Sequence, residues 1–156
     1  MAERTSSAIW AKWMLVFSII IIITGFCFAF VYTYFLPQVI EPFYAEMTGT
    51  RTVELTDGEI KFHNLLSGVI GGTMMGWGVM LLFLAYRLLK KPEEWIWTAI
   101  AASLITWYAC DTLASVIAGS MLNIALNTTF LIVSLPPVIA NRNSVIKGLK
   151  DLKSGY

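Results

Sequence analysis

Four long apolar runs set the pattern of the chain: Trp13–Leu36, Phe62–Tyr86, Trp95–Ala118 and Met121–Ala140. About 20 apolar residues in helical form cross the hydrocarbon layer of a bilayer. No water is available there, so each segment must satisfy its own backbone polar groups, and this selects helices. The second and third connections are short, which makes sequential neighbours antiparallel. The pattern predicts an all-α integral membrane protein, one domain over residues 1–156, built as a bundle of four antiparallel transmembrane helices. The first run is longer than the apolar part of a signal peptide, and no small-residue cleavage pattern closes it. It is therefore expected to be a retained span.

Local signals sharpen the boundaries. Thr56-Asp-Gly-Glu59 has the form of a capping box, in which Thr56 and Glu59 satisfy each other's backbone N–H groups. Leu55 and Ile60 stand where a hydrophobic staple would close, so the second helix should start at this point. A hairpin over Val53–Lys61 around Asp57-Gly58 is the competing reading. Pro37 ends the first helix. The loop 37–56 then caps the bundle or covers a pocket as a lid, with a short extended piece at Thr52–Leu55. Pro92 suits the first turn of the third helix. Gly119-Ser120 makes a minimal turn, and Pro136-Pro137 should kink or end the last helix. The tail 141–156 places Val145, Ile146, Leu149 and Leu152 at helical spacing between lysines, as an amphipathic helix on an anionic membrane surface would.

Inside the second run, Gly68, Gly72 and Gly76 recur every four residues. A glycine weakens a helix in water by about 1 kcal/mol. In a membrane the same spacing lets another backbone come close. These three residues are the predicted packing interface, toward the chain's own helices, a second copy or a larger membrane complex.

Charge gives the orientation. Nine of the eleven lysines and arginines fall at the N-terminus, in the 87–91 connection or in the C-terminal tail, and only Arg51 and Lys61 fall on the opposite side. The positive-inside rule then places both termini in the cytoplasm, with a bacterial cytoplasmic (inner) membrane as the expected location. Trp10, Trp13, Trp95 and Trp97 gather at the inner boundary. Tyr32, Tyr34, Phe35, Phe43 and Tyr44 gather at the outer one.

Composition agrees with this reading and excludes some functions. The chain has 156 residues, of which 57% are hydrophobic and 13% charged, and its mean hydropathy is +0.69. That is far too apolar for an ordinary soluble domain. A net charge of +1 gives no electrostatic footprint for nucleic acid. Cys27 and Cys110 lie inside apolar runs, with neither CxxC nor ligand spacing, and read as inert thiols. A metal site is not expected, and no cofactor is specified.

The chemistry is read from depth. At about 1.5 Å per residue, Asp111 lies roughly 24 Å along its helix from Trp95, in the outer half. His63, Asn64 and Ser67 on the second helix, Thr112 and Ser115 on the third, and Asn123 and Asn127 on the fourth fall in the same outer layer. The inner half is comparatively dry. Asp111 is the sole carboxylate within a span. Burying its charge costs about 2.5–3.5 kcal/mol or more, so it should face the bundle and have a partner; His63, Asn123 and Asn127 are the candidates. Asp111 and His63 could supply acid–base catalysis. Asn123, Asn127, Asn64 and Ser115 could orient a polar head, with Trp77, Trp107 and Tyr108 walling the apolar part. Two readings follow. One is a pocket open to the outer leaflet that binds, and could act on, a lipid or other hydrophobic small molecule. The other is an accessory subunit whose polar layer only locks the bundle. Neither the CxxC of membrane quinone reductases nor the first-span carboxylate of small multidrug exporters is present.

Overall fold

The computed structural model describes residues 2–49, 56–91 and 93–140, with side chains from Ile9 onward except those of Pro37 and Thr48. Every regular element among them is helical: α1 (Ala2–Phe26), a π-helical continuation (Cys27–Tyr32), a 3₁₀ turn (Pro37–Val39), α2 (Glu41–Thr48), α3 (Asp57–Lys90), α4 (Glu94–Ala118) and α5 (Met121–Ala140). Four helices are long and apolar enough to cross a membrane: Ile9–Tyr32, Asp57–Lys90, Glu94–Ala118 and Met121–Ala140. Only 17–33% of the most apolar window in each is buried by the protein itself. So much outward apolar surface is untenable in water and fits surroundings of lipid.

The capping box at Thr56 forms as predicted. The Glu59 carboxylate accepts from Thr56 N and Oγ1, both at 2.7 Å, and Glu59 N donates back to Thr56 Oγ1 at 3.4 Å. Lys61 is therefore in helix, and the hairpin alternative fails. The Leu55 staple, the extended piece at Thr52–Leu55, Pro92 itself and the amphipathic tail lie outside the described residues. The Gly119–Ser120 turn stands, with Gly119 at φ 77°, a conformation that favours glycine.

Three features go beyond what the pattern of the chain specifies. First, the loop 37–56 contains a helix, α2, closed by Gly49 in the left-handed conformation. Second, the first span widens into π-helix at Cys27–Tyr32 before it ends just short of Pro37. Leu36 N and Thr33 Oγ1 donate to carbonyls five residues back, Val31 O at 3.0 Å and Phe28 O at 2.9 Å. Third, α5 continues through Pro136 and Pro137 to Ala140. Pro137 has no N–H to give Val133 O, the carbonyl four residues before it. The Trp13 indole of α1 supplies that hydrogen bond instead, at 2.9 Å. Trp13→Phe should therefore cost about 1–2 kcal/mol in detergent unfolding, as an orphaned carbonyl does. In a Pro137→Ala background, with the helical N–H restored, the cost should shrink by roughly 1 kcal/mol. Equal costs in the two backgrounds would refute this account.

The glycine interface also moves. α1 packs along α3, and the close approach is made by Gly25, Gly71 and Gly78. A Cβ at Gly25 would lie 2.7 Å from Gly71 O, and one at Gly78 would lie 2.7 Å from Ile22 Cγ1. A Cβ at Gly71 would collide with Gly25 O and Ala29 N. A Cβ at Gly68, Gly72 or Gly76 meets nothing within 4 Å. Within the chain, then, the predicted stripe is not the seam. One helical step separates Gly71 from Gly72, about 100° of rotation, and this carries the stripe off the contact face.

The densest packing is at the end where α3 turns into α4. Ala11, Met14, Phe17 and Ile21 meet Leu81, Ala85 and Leu88, with Ile96, Trp97, Ile100, Ala101 and Leu104. Dispersion between closely fitted apolar groups holds this half together. Among its buried groups Ser18 bonds to its own helix, Oγ to Met14 O at 2.7 Å. The buried hydroxyls of Thr98 and Ser134 likewise bond to their own helices, to Glu94 O at 3.2 Å and Leu131 O at 2.9 Å.

Candidate functional site

The opposite end carries the polar groups, and α2 organises it. Tyr44 and Glu46 are two residues apart on this short helix, and they reach different partners. The Tyr44 hydroxyl lies 2.5 Å from His63 Nδ1 on α3, with the two rings 5.3 Å apart. The Glu46 carboxylate accepts from Ser120 Oγ at 2.8 Å and from Leu122 N at 3.0 Å. Ser120 also receives Asn123 N at 3.4 Å. The start of α5 thus has a serine cap and an anion beside its partial positive charge. One helix ties α3 to the α4–α5 pair. The acidic loop residues had no ligand spacing in the sequence, so Glu46 carried no signal until the fold brought Ser120 to it.

His63 belongs to this clasp. Burial raises the Tyr44 pKa, so the phenol keeps its proton. The other ring nitrogen, Nε2, lies 3.4 Å from Ser67 Oγ. Neither contact involves Asp111.

Asp111 has the second network. Asn123 Nδ2 donates to Asp111 Oδ1 at 2.9 Å and lies 2.7 Å from Ser115 Oγ. Ser115 Oγ donates to Asp111 O at 2.7 Å. Asn123 is thus the partner among the three candidates, and it fixes the register of α4 against α5. Farther along the same pair, Tyr108 Oη lies 3.5 Å from Thr128 Oγ1.

Asn127 lies between these two contacts. It is one turn beyond Asn123 on the same face of α5, and is 4% exposed. Among the described residues its Nδ2 has no hydrogen-bond partner, and neither has the buried Thr112 Oγ1 on the facing α4. A buried donor left unpaired costs about 1–3 kcal/mol, so such atoms usually mark where a water or ligand belongs.

The aromatic residues pack against one another. Trp77 donates to Ser103 Oγ at 2.9 Å, and its ring centroid is 5.4 Å from that of Trp107. Trp107 packs edge-on to Tyr108 at 6.4 Å and to Phe130 at 6.5 Å. Trp77 and Trp107 fill the junction of α3 and α4. Asn64 sits apart from both networks, in a groove on the α1–α3 side with Tyr34, Lys61, Leu65, Gly68 and Val69. Cys27 and Cys110 are free thiols. Among the described residues no group of three or more His, Cys, Asp or Glu side chains could hold a metal ion.

The predicted polar layer therefore divides into a His63–Tyr44–Ser67 cluster between α2 and α3 and an Asp111–Asn123–Ser115 cluster between α4 and α5. Among the described residues, only the second has unpaired buried side-chain atoms beside it. No family model, curated protein or solved structure matches the chain, so its function has to be argued from this geometry.

Proposed function

We propose that the chain is an integral protein of a bacterial cytoplasmic membrane, with four antiparallel spans and both termini inside. In this reading it binds a lipid or other hydrophobic small molecule between α4 and α5. The observation that carries the proposal is the buried Asn127 amide, whose N–H has no acceptor beside the Asp111–Asn123 pair. A ligand with a carbonyl, ether or hydroxyl oxygen would supply the acceptor, and an apolar body would extend from it into the bilayer. The α2 clasp would act as the cover. This is a binding function. Acid–base catalysis by Asp111 and His63 would need a ligand long enough to touch both networks.

The test is Asn127→Leu, which is close in shape and has no donor. Purified wild-type protein should carry a discrete hydrophobic molecule by mass spectrometry, and the variant should retain roughly tenfold less, the factor set by about 1.4 kcal/mol. After the ligand is stripped, the variant should be the more stable of the two, because its buried orphan is gone. A wild type carrying only bulk lipid, in the same amount as the variant, would end this reading.

The second reading, an accessory subunit that docks on itself or on a larger membrane complex, is favoured by one observation. Gly68, Gly72 and Gly76 leave open space on α3 where another helix could approach.

A further inference from the structure

The groove on the α1–α3 side is a separate feature from the Asp111 network. Its rim carries three polar groups: the Tyr34 hydroxyl, the Lys61 ammonium and the Asn64 amide. Leu65, Gly68 and Val69 line it with apolar surface. Among the described residues, none of the three polar groups has a hydrogen bond or ion pair, and Lys61 is the one cation at the end of the molecule that carries α2. The groove is open, with a volume of about 540 Å³, within the range of small-molecule sites. Its polar rim lies near the start of α3, where a span of this length meets the headgroup region. Its apolar lining leads one to two turns along α3 into the apolar segment, and Gly68 leaves a channel there because no side chain fills it.

We propose that this groove binds one anionic phospholipid. The phosphate sits against the Lys61 ammonium and accepts from the Tyr34 hydroxyl and the Asn64 amide, and the start of an acyl chain lies over Gly68 between Leu65 and Val69. The charge selects the headgroup class: an ammonium flanked by two neutral donors complements a phosphate, and a net-negative lipid gains more from it than a zwitterionic one. The apolar lining selects a lipid over a soluble phosphate ester, which would leave Leu65 and Val69 uncovered. The inference rests on the membrane placement proposed above, not on the Asn127 site.

The experiment is native mass spectrometry of the full chain released from vesicles of equal phosphatidylglycerol and phosphatidylcholine. Wild-type protein should retain one phosphatidylglycerol in preference to phosphatidylcholine. Lys61→Gln should lower that preference about fivefold, the effect of one cation at a lipid surface. Gly68→Leu should fold, because its site is open space, and should reduce retention of both lipids. Lys90→Gln, at the other end of α3, should change nothing. Three results would each overturn the assignment: equal preference in wild type and Lys61→Gln, an equal drop in Lys90→Gln, or unchanged retention in Gly68→Leu. Displacement of the lipid by soluble glycerol phosphate would also overturn it, since the occupant would then be the free ester.

Discussion

Gly71→Leu is expected to abolish the folded bundle, while Gly72→Leu, one residue away, leaves it intact. At Gly71 the first added carbon already collides with Gly25 O, lies 2.6 Å from Ala29 N and comes within 2.7 Å of Ala29 Cβ. Two of those three atoms are backbone, and both belong to a helix packed along the length of α3. Neither can swing aside as a side-chain tip could. Relief requires α1 and α3 to separate, which would undo the seam at Gly25 and Gly78 as well. Overpacking a fitted interior usually costs about 1–3 kcal/mol. Here the obstruction is backbone, so the cost should reach or exceed the top of that range. At Gly72 the same atoms enter open space, and replacing glycine in a helix is mildly favourable for the backbone. Thermal unfolding in detergent, followed by circular dichroism and by size-exclusion profile, compares the two. Similar midpoints for both variants would show that α1 and α3 do not meet at Gly71.

Asn123→Leu should be the next most damaging change, at about 2–3 kcal/mol. It removes the donor to Asp111 Oδ1 and leaves a partly buried carboxylate without its side-chain partner. Asp111→Asn should be mild, below about 1 kcal/mol, because an amide oxygen can still accept from Asn123. The double variant Asp111→Leu with Asn123→Leu should recover much of the loss, since both ends of the pair become apolar together. This series separates the clasp from any ligand role. The stability costs appear in ligand-free protein, whereas the Asn127 effect on ligand retention does not depend on them. If Asn123→Leu were as stable as wild type, the Asp111–Asn123 bond would not hold α4 to α5.

Much of the architecture was legible in the chain because the signals are local. The apolar runs give helix number and length. Thr56 and Glu59 place the start of α3 within four residues of sequence, and Gly119 places the turn before α5. The depth of Asp111 follows from counting residues along one helix, and this set it in a polar layer with Asn123.

The sequence could not supply the rotation of one helix against another. Every residue of an apolar span is a candidate for the interface, and lipid and protein interior are equally apolar, so hydrophobicity does not distinguish a buried face from an exposed one. The regular stripe Gly68–Gly72–Gly76 was the visible pattern, but α1 approaches at Gly71 and Gly78, with Gly25 opposite. The same limit hid the division of the polar layer, because depth is shared by residues that face different neighbours. Only the packed structure showed that α2 crosses the end of the bundle, giving Tyr44 to His63 and Glu46 to the start of α5. Sequence alone determined the four long helices and the end of the bundle that carries the polar groups. The tertiary structure decided which face of each helix meets which, and therefore why His63 belongs to the clasp and Asp111 to the network between α4 and α5.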